Sequence, residues 1–194
     1  MMDSMSFIYQ YLIFGLWLAW LIYWMVASRG NKEVAQYESG VSRASHVIPL
    51  SIGAWLLLAQ RTPWAPLNER FVPRAEWTFV TGAILVALGL AFSSWARVYL
   101  GGNWSAAVTL KRGHELVRSG PYRFVRNPIY TGLIIAFIGS ALARGTWASV
   151  LGVAIAFGAV WHKSRIEERV LHNAFGTQYD DYKRDVAALI PFVL

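Results

Sequence analysis

The sequence predicts an all-α fold, a polytopic membrane helical bundle with about five transmembrane helices. Three observations carry this. The 194 residues are 56% hydrophobic and only 15% charged, well below the roughly 25% charged share of soluble domains. The apolar residues gather into five runs with no charged side chain, and the 18 Lys and Arg fall unevenly between them. In a soluble chain a net charge of +7 would point to nucleic acid. Here the positive-inside rule accounts for it, and no polyanion partner is needed. There is no Cys, which excludes disulfides, a thiolate nucleophile and Cys-ligated metal.

The first run, Phe7 to Ala27, has 21 residues and is long enough to span the hydrocarbon core. Residues 1–6 hold Asp3 and no Lys or Arg, unlike the basic start of a signal peptide, so the run is read as a retained span. Tyr9, Tyr11, Tyr23 and Trp24 suit interfacial belts. Ser28 to His46 is polar and reads as a loop. Val47 to Gln60 is apolar but short, with Pro49 near its start, and length alone leaves it between a span and a re-entrant segment. Arg61 to Glu76 carries Pro63, Pro66 and Pro73 and is a poor helix candidate. Trp77 to Trp95 is the third span, and Gly82 and Gly89, one heptad apart, offer a small-residue face to a neighbouring helix.

Arg97 to Arg126 is the largest polar segment. Ile129 to Ala143 and Thr146 to Trp161 follow, joined only by Arg144-Gly145, which predicts an antiparallel helical hairpin. Ala148, Gly152 and Ala156 give its second arm a smooth packing face. From Lys163 the chain is polar, yet Ile166, Val170 and Leu171 keep an apolar helical stripe. Gly176 reads as a helix stop, with a short helix from Thr177 exposing Asp180, Asp181, Lys183, Arg184 and Asp185. Five spans put 14 Lys and Arg on one face and 4 on the other; without the second run the split is 11 against 7. Charge therefore favours five spans with a cytoplasmic C-terminus. Residues 97–126 and the C-terminal segment then share one face, at the mouth of the 129–161 hairpin.

Between the polar segment and the hairpin lies a compact island, Gly120-Pro121-Tyr122-Arg123-Phe124-Val125-Arg126-Asn127-Pro128-Ile129-Tyr130. Asn127-Pro128 reads as a helix start: Asn accepts from free N–H groups at the cap, and Pro fits the first helical position. An open helix N-terminus beside Arg123 and Arg126 suits an anionic group. The plain alternative is an ordinary helix start with arginines that only fix topology.

Gly120-x-Tyr122-x-x-x-Arg126-Asn127-Pro128-x-Tyr130 resembles the Arg-His-Pro-x-Tyr region of the isoprenylcysteine carboxyl methyltransferase family, integral membrane enzymes that use S-adenosylmethionine. The likeness extends upstream to Gly102-Asn103-Trp104-Ser105 and His114-x-Leu116-Val117. Downstream it takes in Glu167-Glu168-x-x-Leu171, Phe175-Gly176-x-x-Tyr179-x-x-Tyr182 and Pro191. It covers residues 97–194, which the resemblance makes the cofactor-binding half of a single domain, with residues 1–96 supplying spans one to three.

The resemblance implies roles. His114, Glu115, Leu116 and Val117, then Tyr122, then Asn127, Pro128, Ile129 and Tyr130 match stretches that line the family's cofactor pocket. Glu167 and Glu168 match a pair at the cofactor. A basic residue just before that pair meets substrate, and falls here on Lys163 or Arg165. Arg126, Arg165 and Glu168 are the residues assigned to catalysis. The family's usual His is Asn127 here, which can cap and hydrogen-bond but does not titrate near neutral pH. His46, His162 and His172 are given no catalytic role, and without HExxH or a comparable cluster no metal is expected.

Methyl transfer fits the residue types. A carboxylate attacking a sulfonium neutralises two charges, which a dry site favours, and it needs alignment rather than a general base. An amine acceptor would have to be neutral first. The expected cofactor is S-adenosyl-L-methionine, and the expected partners are a lipophilic or prenylated acceptor and the bilayer, with no nucleic acid. The rival readings are an NADPH-dependent sterol-type membrane reductase, against which Glu167-Glu168 speaks, and a non-catalytic membrane scaffold.

Overall fold

The computed structural model describes residues 2–30, 34–36, 38–59, 61–105, 108, 110–111, 113 and 115–191. Six α-helices dominate it: α1 (Met2–Ala27), α2 (Gly40–Leu58), α3 (Glu76–Leu100), α4 (Pro128–Arg144), α5 (Trp147–Phe175) and α6 (Thr177–Asp185). A minimal antiparallel ladder, β1 (Val34–Gln36) with β2 (Leu110–Lys111), ties the α1–α2 connection to the long polar segment. Among the described residues, Tyr9–Ala27, Gly40–Leu58 and Glu76–Asn103 are long and apolar enough to cross a membrane, and α4 is a shorter apolar helix. The chain is an integral membrane protein.

Two boundaries differ from expectation. The segment 28–46 is not all loop. Helix α2 starts at Gly40, and the Ser39 side chain accepts from the Ser42 N–H at 3.2 Å. That cap carries the helix through polar residues, so α2 is 19 residues long, with Pro49 inside it. Helix α3 likewise runs past Trp95 to Leu100. It holds Arg97, expected in a loop, as a buried side chain. Arg97 donates to the Ala27 carbonyl at 2.7 Å and the Gly101 carbonyl at 2.6 Å. Its guanidinium thereby meets the carbonyl end of α1, where a cation is favoured.

The seams are made by small residues. Gly82 and Gly89 face Gly139 and Gly132, so α3 and α4 run antiparallel with their backbones in contact. A Cβ on Gly82 would lie 2.7 Å from the Gly139 carbonyl oxygen. The predicted smooth face of α5 meets α2, where a Cβ on Gly53 would lie 2.8 Å from the Gly152 oxygen. Helix α1 closes one side of α3 and α4. Trp17 stacks on Phe137 with ring centroids 5.2 Å apart and donates to the Ser140 hydroxyl at 3.0 Å. The hairpin turns at Gly145 in the left-handed region, φ 67°, which only Gly adopts without cost. Gly176 ends α5 as expected, its N–H donating to the His172 carbonyl at 2.8 Å.

Candidate functional site

The N-terminus of α4 does not hold its cap in the expected way. Asn127 stands at the cap position, but its side chain makes no capping bond. Its Nδ2 donates instead to the Ala188 carbonyl at 3.2 Å. The reason is a long-range one. The segment after α6 runs parallel to residues 125–127 and accepts from the Arg126 N–H (2.8 Å) and the Asn127 N–H (3.0 Å). Thr131 Oγ1 extends the zipper to the Leu189 carbonyl at 2.7 Å. The Tyr182 hydroxyl donates to the Tyr122 carbonyl at 2.6 Å. Gly120 lets this loop dock tightly: its φ is 59°, and a Cβ there would strike the Tyr99 ring. The C-terminal segment thus pins the polar island in place.

Beside this pinned start lies a cavity of about 330 Å³, within the size range of small-molecule sites. The polar island gives it Tyr122, Arg126, Asn127, Ile129 and Tyr130, and α5 gives Lys163 and Glu167. Trp20, Trp24, His46 and Leu50 come from α1 and α2, and Asn103 and Trp104 from the stretch after α3. Trp24, expected as an interfacial anchor, packs its ring at 4.4 Å from Trp20 and edge-on at 5.3 Å from Trp104. The aromatic wall is therefore continuous from α1 to the polar segment.

The two glutamates face different ways. The Tyr130 hydroxyl donates to Glu167 Oε1 at 2.7 Å, and Lys163 Nζ stands 3.9 Å from the same oxygen. Burial pushes the Glu167 carboxyl above its ordinary pKa, opposed by Lys163 and by the Tyr130 bond. Glu168 is buried away from the cavity. Its Oε1 accepts from Arg126 Nε at 3.0 Å and Nη2 at 2.8 Å, and its Oε2 accepts from Arg165 Nη1 at 3.1 Å. Arg126 also donates to the Lys183 carbonyl at 3.2 Å and to the Val186 carbonyl. Glu168 therefore couples α5 to the loop before α4 and to the C-terminal segment.

Of the two basic positions left open by the sequence, Lys163 lines the cavity and Arg165 does not. One helical turn places 163 and 167 on a common face, whereas Arg165 is about half exposed beside Glu168. Glu115 is exposed, and Leu116 and Val117 are half-buried. Val117 packs against the buried cluster of Ala96, Tyr122 and Ile129, and Pro128 is buried as the first residue of α4. His114 lies outside the described residues.

The sequence places His46 at the end of a loop and gives it no catalytic role. It is 2% exposed, lines the cavity, and among the described residues neither ring nitrogen makes a hydrogen bond. The nearest carboxylate oxygen, of Glu38, is 3.6 Å from Nδ1. No spacing signal marks a lone His on a span, and only the packing of α2 on α5 brings it to the site. Asn103 Oδ1 is also buried there without a hydrogen-bond partner among the described residues.

The profile of the phospholipid methyltransferase family matches residues 77–178. The chain is 31% identical over 188 residues to a protein-S-isoprenylcysteine O-methyltransferase of Mus musculus, covering 88% of this chain and 65% of that one. It is 32% identical over 111 residues to the Schizosaccharomyces pombe protein of the same name, covering 56% and 47%. The solved structure of the eukaryotic intramembrane Ras methyltransferase isoprenylcysteine carboxyl methyltransferase shares the fold. Its TM-score is 0.53 at 24% identity, covering 79% of this chain and 52% of that one. The chain thus spans between about half and just under two thirds of the length of these relatives.

Proposed function

We propose that this chain, which belongs to the phospholipid methyltransferase family, is a membrane-embedded methyltransferase. In this reading it moves a methyl group from S-adenosylmethionine to a carboxylate on a lipophilic acceptor of the isoprenylcysteine type. The names of the mouse and fission-yeast relatives favour that acceptor over a lipid amine. The site faces the cytoplasm, where the excess of Lys and Arg lies.

The observation that carries the cofactor assignment is the charge pairing in the cavity. Among the described residues, the Arg and Lys that line it each face a glutamate, Arg126 with Glu168 and Lys163 with Glu167. That suits a ligand that is itself a cation and does not suit the three phosphates of NADPH. Glu167 and the unpartnered Asn103 Oδ1 would hold an ammonium, ribose hydroxyls or an adenine amine. Trp24, Trp104 and Tyr130 offer ring faces for adenine or a sulfonium. When bound, S-adenosylmethionine supplies an electrophilic methyl group on that sulfonium.

The chain's residues then have distinct tasks. The Tyr130 hydroxyl and Lys163 hold the Glu167 carboxylate in one orientation. Lys163 also presents positive charge to an incoming carboxylate. The aromatic wall and Leu50, Leu133 and Val160 exclude water, which favours a reaction that cancels charge. No group need take a proton from a carboxylate acceptor, so alignment is the main catalytic contribution. Glu168 and Arg165 act one layer out, holding Arg126 at the cavity edge and fixing the loop that leads into Asn127 and the start of α4.

The test is titration calorimetry of the detergent-purified chain with S-adenosylmethionine and NADPH, followed by transfer of labelled methyl to a farnesylated cysteine carboxylate. Binding of S-adenosylmethionine alone, weakened in Tyr130→Phe, with a base-labile methyl product, is expected. Binding of NADPH alone overturns the cofactor, and a base-stable methyl product overturns the carboxylate acceptor.

A further inference from the structure

The sequence places four basic residues on the face opposite the cavity: Arg61, Arg70, Arg74 and Arg144. They sit at the far ends of the helices, and all four line one pocket of about 440 Å³ with Asn68 and Thr146. No carboxylate lines it among the described residues. The positive-inside rule disfavours basic residues on this face, so their convergence calls for a cause other than topology.

The pocket is built rather than incidental. Arg70 lies on a strap that pairs antiparallel with Thr146 at the α4–α5 turn. The Phe71 N–H donates to the Gly145 carbonyl at 2.9 Å, and the Trp147 N–H to the Glu69 carbonyl at 3.2 Å. Arg70 Nη1 donates to the Arg144 carbonyl, and Arg144 Nη1 reaches the Leu58 carbonyl at 3.5 Å. These bonds tie two helix C-termini and use one nitrogen of each guanidinium. Arg70 Nε and Nη2 and Arg144 Nε are buried with no hydrogen-bond partner among the described residues. Burial and the neighbouring Arg74 push the Arg70 guanidinium below its usual pKa. Buried donors on adjacent cations are costly unless an anion answers them. Exposed Trp64 and Trp77, and Trp147 packed on Phe71, put this end at headgroup depth, where aromatic residues gather.

We propose that this arginine pocket binds the phosphodiester of a phospholipid headgroup. Guanidinium forks match phosphate oxygens geometrically and keep their charge when partly buried. The acyl chains would lie along the apolar outer surface of the bundle. This site stands apart from the methyl-transfer cavity and does not rest on that reading.

The test uses the full chain in detergent. Native mass spectrometry and thermal unfolding are run with phosphatidylglycerol, with diacylglycerol of matched chains, and with inorganic phosphate. Phosphatidylglycerol alone should be retained one per chain and raise the unfolding temperature. The Arg70→Gln/Arg144→Gln variant should lose roughly tenfold in lipid affinity. Arg74→Gln, on an exposed residue that keeps both helix-end bonds, should lose about threefold and serves if the double variant does not fold. Equal retention of diacylglycerol would show that the pocket does not read phosphate. Equal stabilisation by inorganic phosphate would assign it to a free anion. Unchanged lipid retention in a folded variant would leave the arginines a purely structural role and sink the proposal.

Discussion

Helix α4 meets its neighbours in two opposite ways. Along α3 the backbones touch at Gly82–Gly139 and Gly89–Gly132, and no space is left. At its N-terminal end, towards α1, α2 and α5, the same helix stands back behind Tyr130, Lys163, Glu167 and the tryptophans around a cavity. In a bilayer the lipid is as apolar as a leucine side chain, so hydrophobicity alone does not draw helices together. Close backbone packing and buried polar links do. The contrast teaches that the closed seam and the buried ion pairs set the shape of the open one. Residues in the cavity itself should then matter for ligand and little for folding.

The largest effect should come from the buried ion pair of Arg126 and Glu168. Glu168→Ala leaves the Arg126 guanidinium buried without its carboxylate, facing the neutral Lys183 and Val186 carbonyls. Removing one partner of a buried pair costs about 3–5 kcal/mol. Thermal unfolding in detergent should show it, and Glu168→Gln should recover part of the loss. An Ala variant as stable as the parent would refute a coupling role for Glu168. Next comes the closed seam. A Cβ on Gly132 would stand 2.7 Å from the Ser93 nitrogen, with the Gly89 carbonyl nearer still. Gly132→Ala should therefore push α3 and α4 apart and cost about 1–3 kcal/mol. Gly158→Ala, where nothing lies within 4 Å, is the matched control and should be near neutral.

Glu167→Gln reverses the pattern. The amide keeps an acceptor for the Tyr130 hydroxyl, so stability should change little. Affinity for S-adenosylmethionine should fall roughly tenfold, about 1.4 kcal/mol, read by calorimetry. A large stability loss with unchanged affinity would make Glu167 a second structural glutamate and erase the distinction between it and its neighbour.

Much of this was legible before the structure. Uncharged runs located the long helices, the Arg144-Gly145 link marked the hairpin, Gly176 marked a helix stop, and the heptad of Gly82 and Gly89 announced the α3 seam. What escaped depends on distant partners. Asn127 reads as a cap, but a carbonyl 61 residues away takes its amide. His46 reads as loop, because the Ser39 cap that extends α2 through polar residues is a local bond with no hydropathy signal. Glu167 and Glu168 read as one motif, although adjacent residues on a helix point about 100° apart. Their separation follows from periodicity once Lys163 is seen one turn before Glu167.

The finest comparison is electrostatic and concerns Glu167 alone. Burial raises its carboxyl pKa in the fold above the ordinary 4.5, while Lys163 and the Tyr130 hydroxyl pull it back. A carboxyl whose folded pKa exceeds its unfolded one favours the fold while it is protonated. That contribution is present below the unfolded value and is lost as pH rises through the folded one. Gln at this position stays neutral throughout. The stability of Glu167→Gln relative to the parent should therefore climb as pH rises through the carboxylate range, by less than any effect above. Unfolding temperatures of the two proteins, compared across that range in one detergent, measure the sign. A gap that shrinks with rising pH would mean that Lys163 outweighs burial. Glu167 would then stabilise the fold as an ion pair, and the cavity end of α5 would obey the same logic as the Arg126–Glu168 pair behind it.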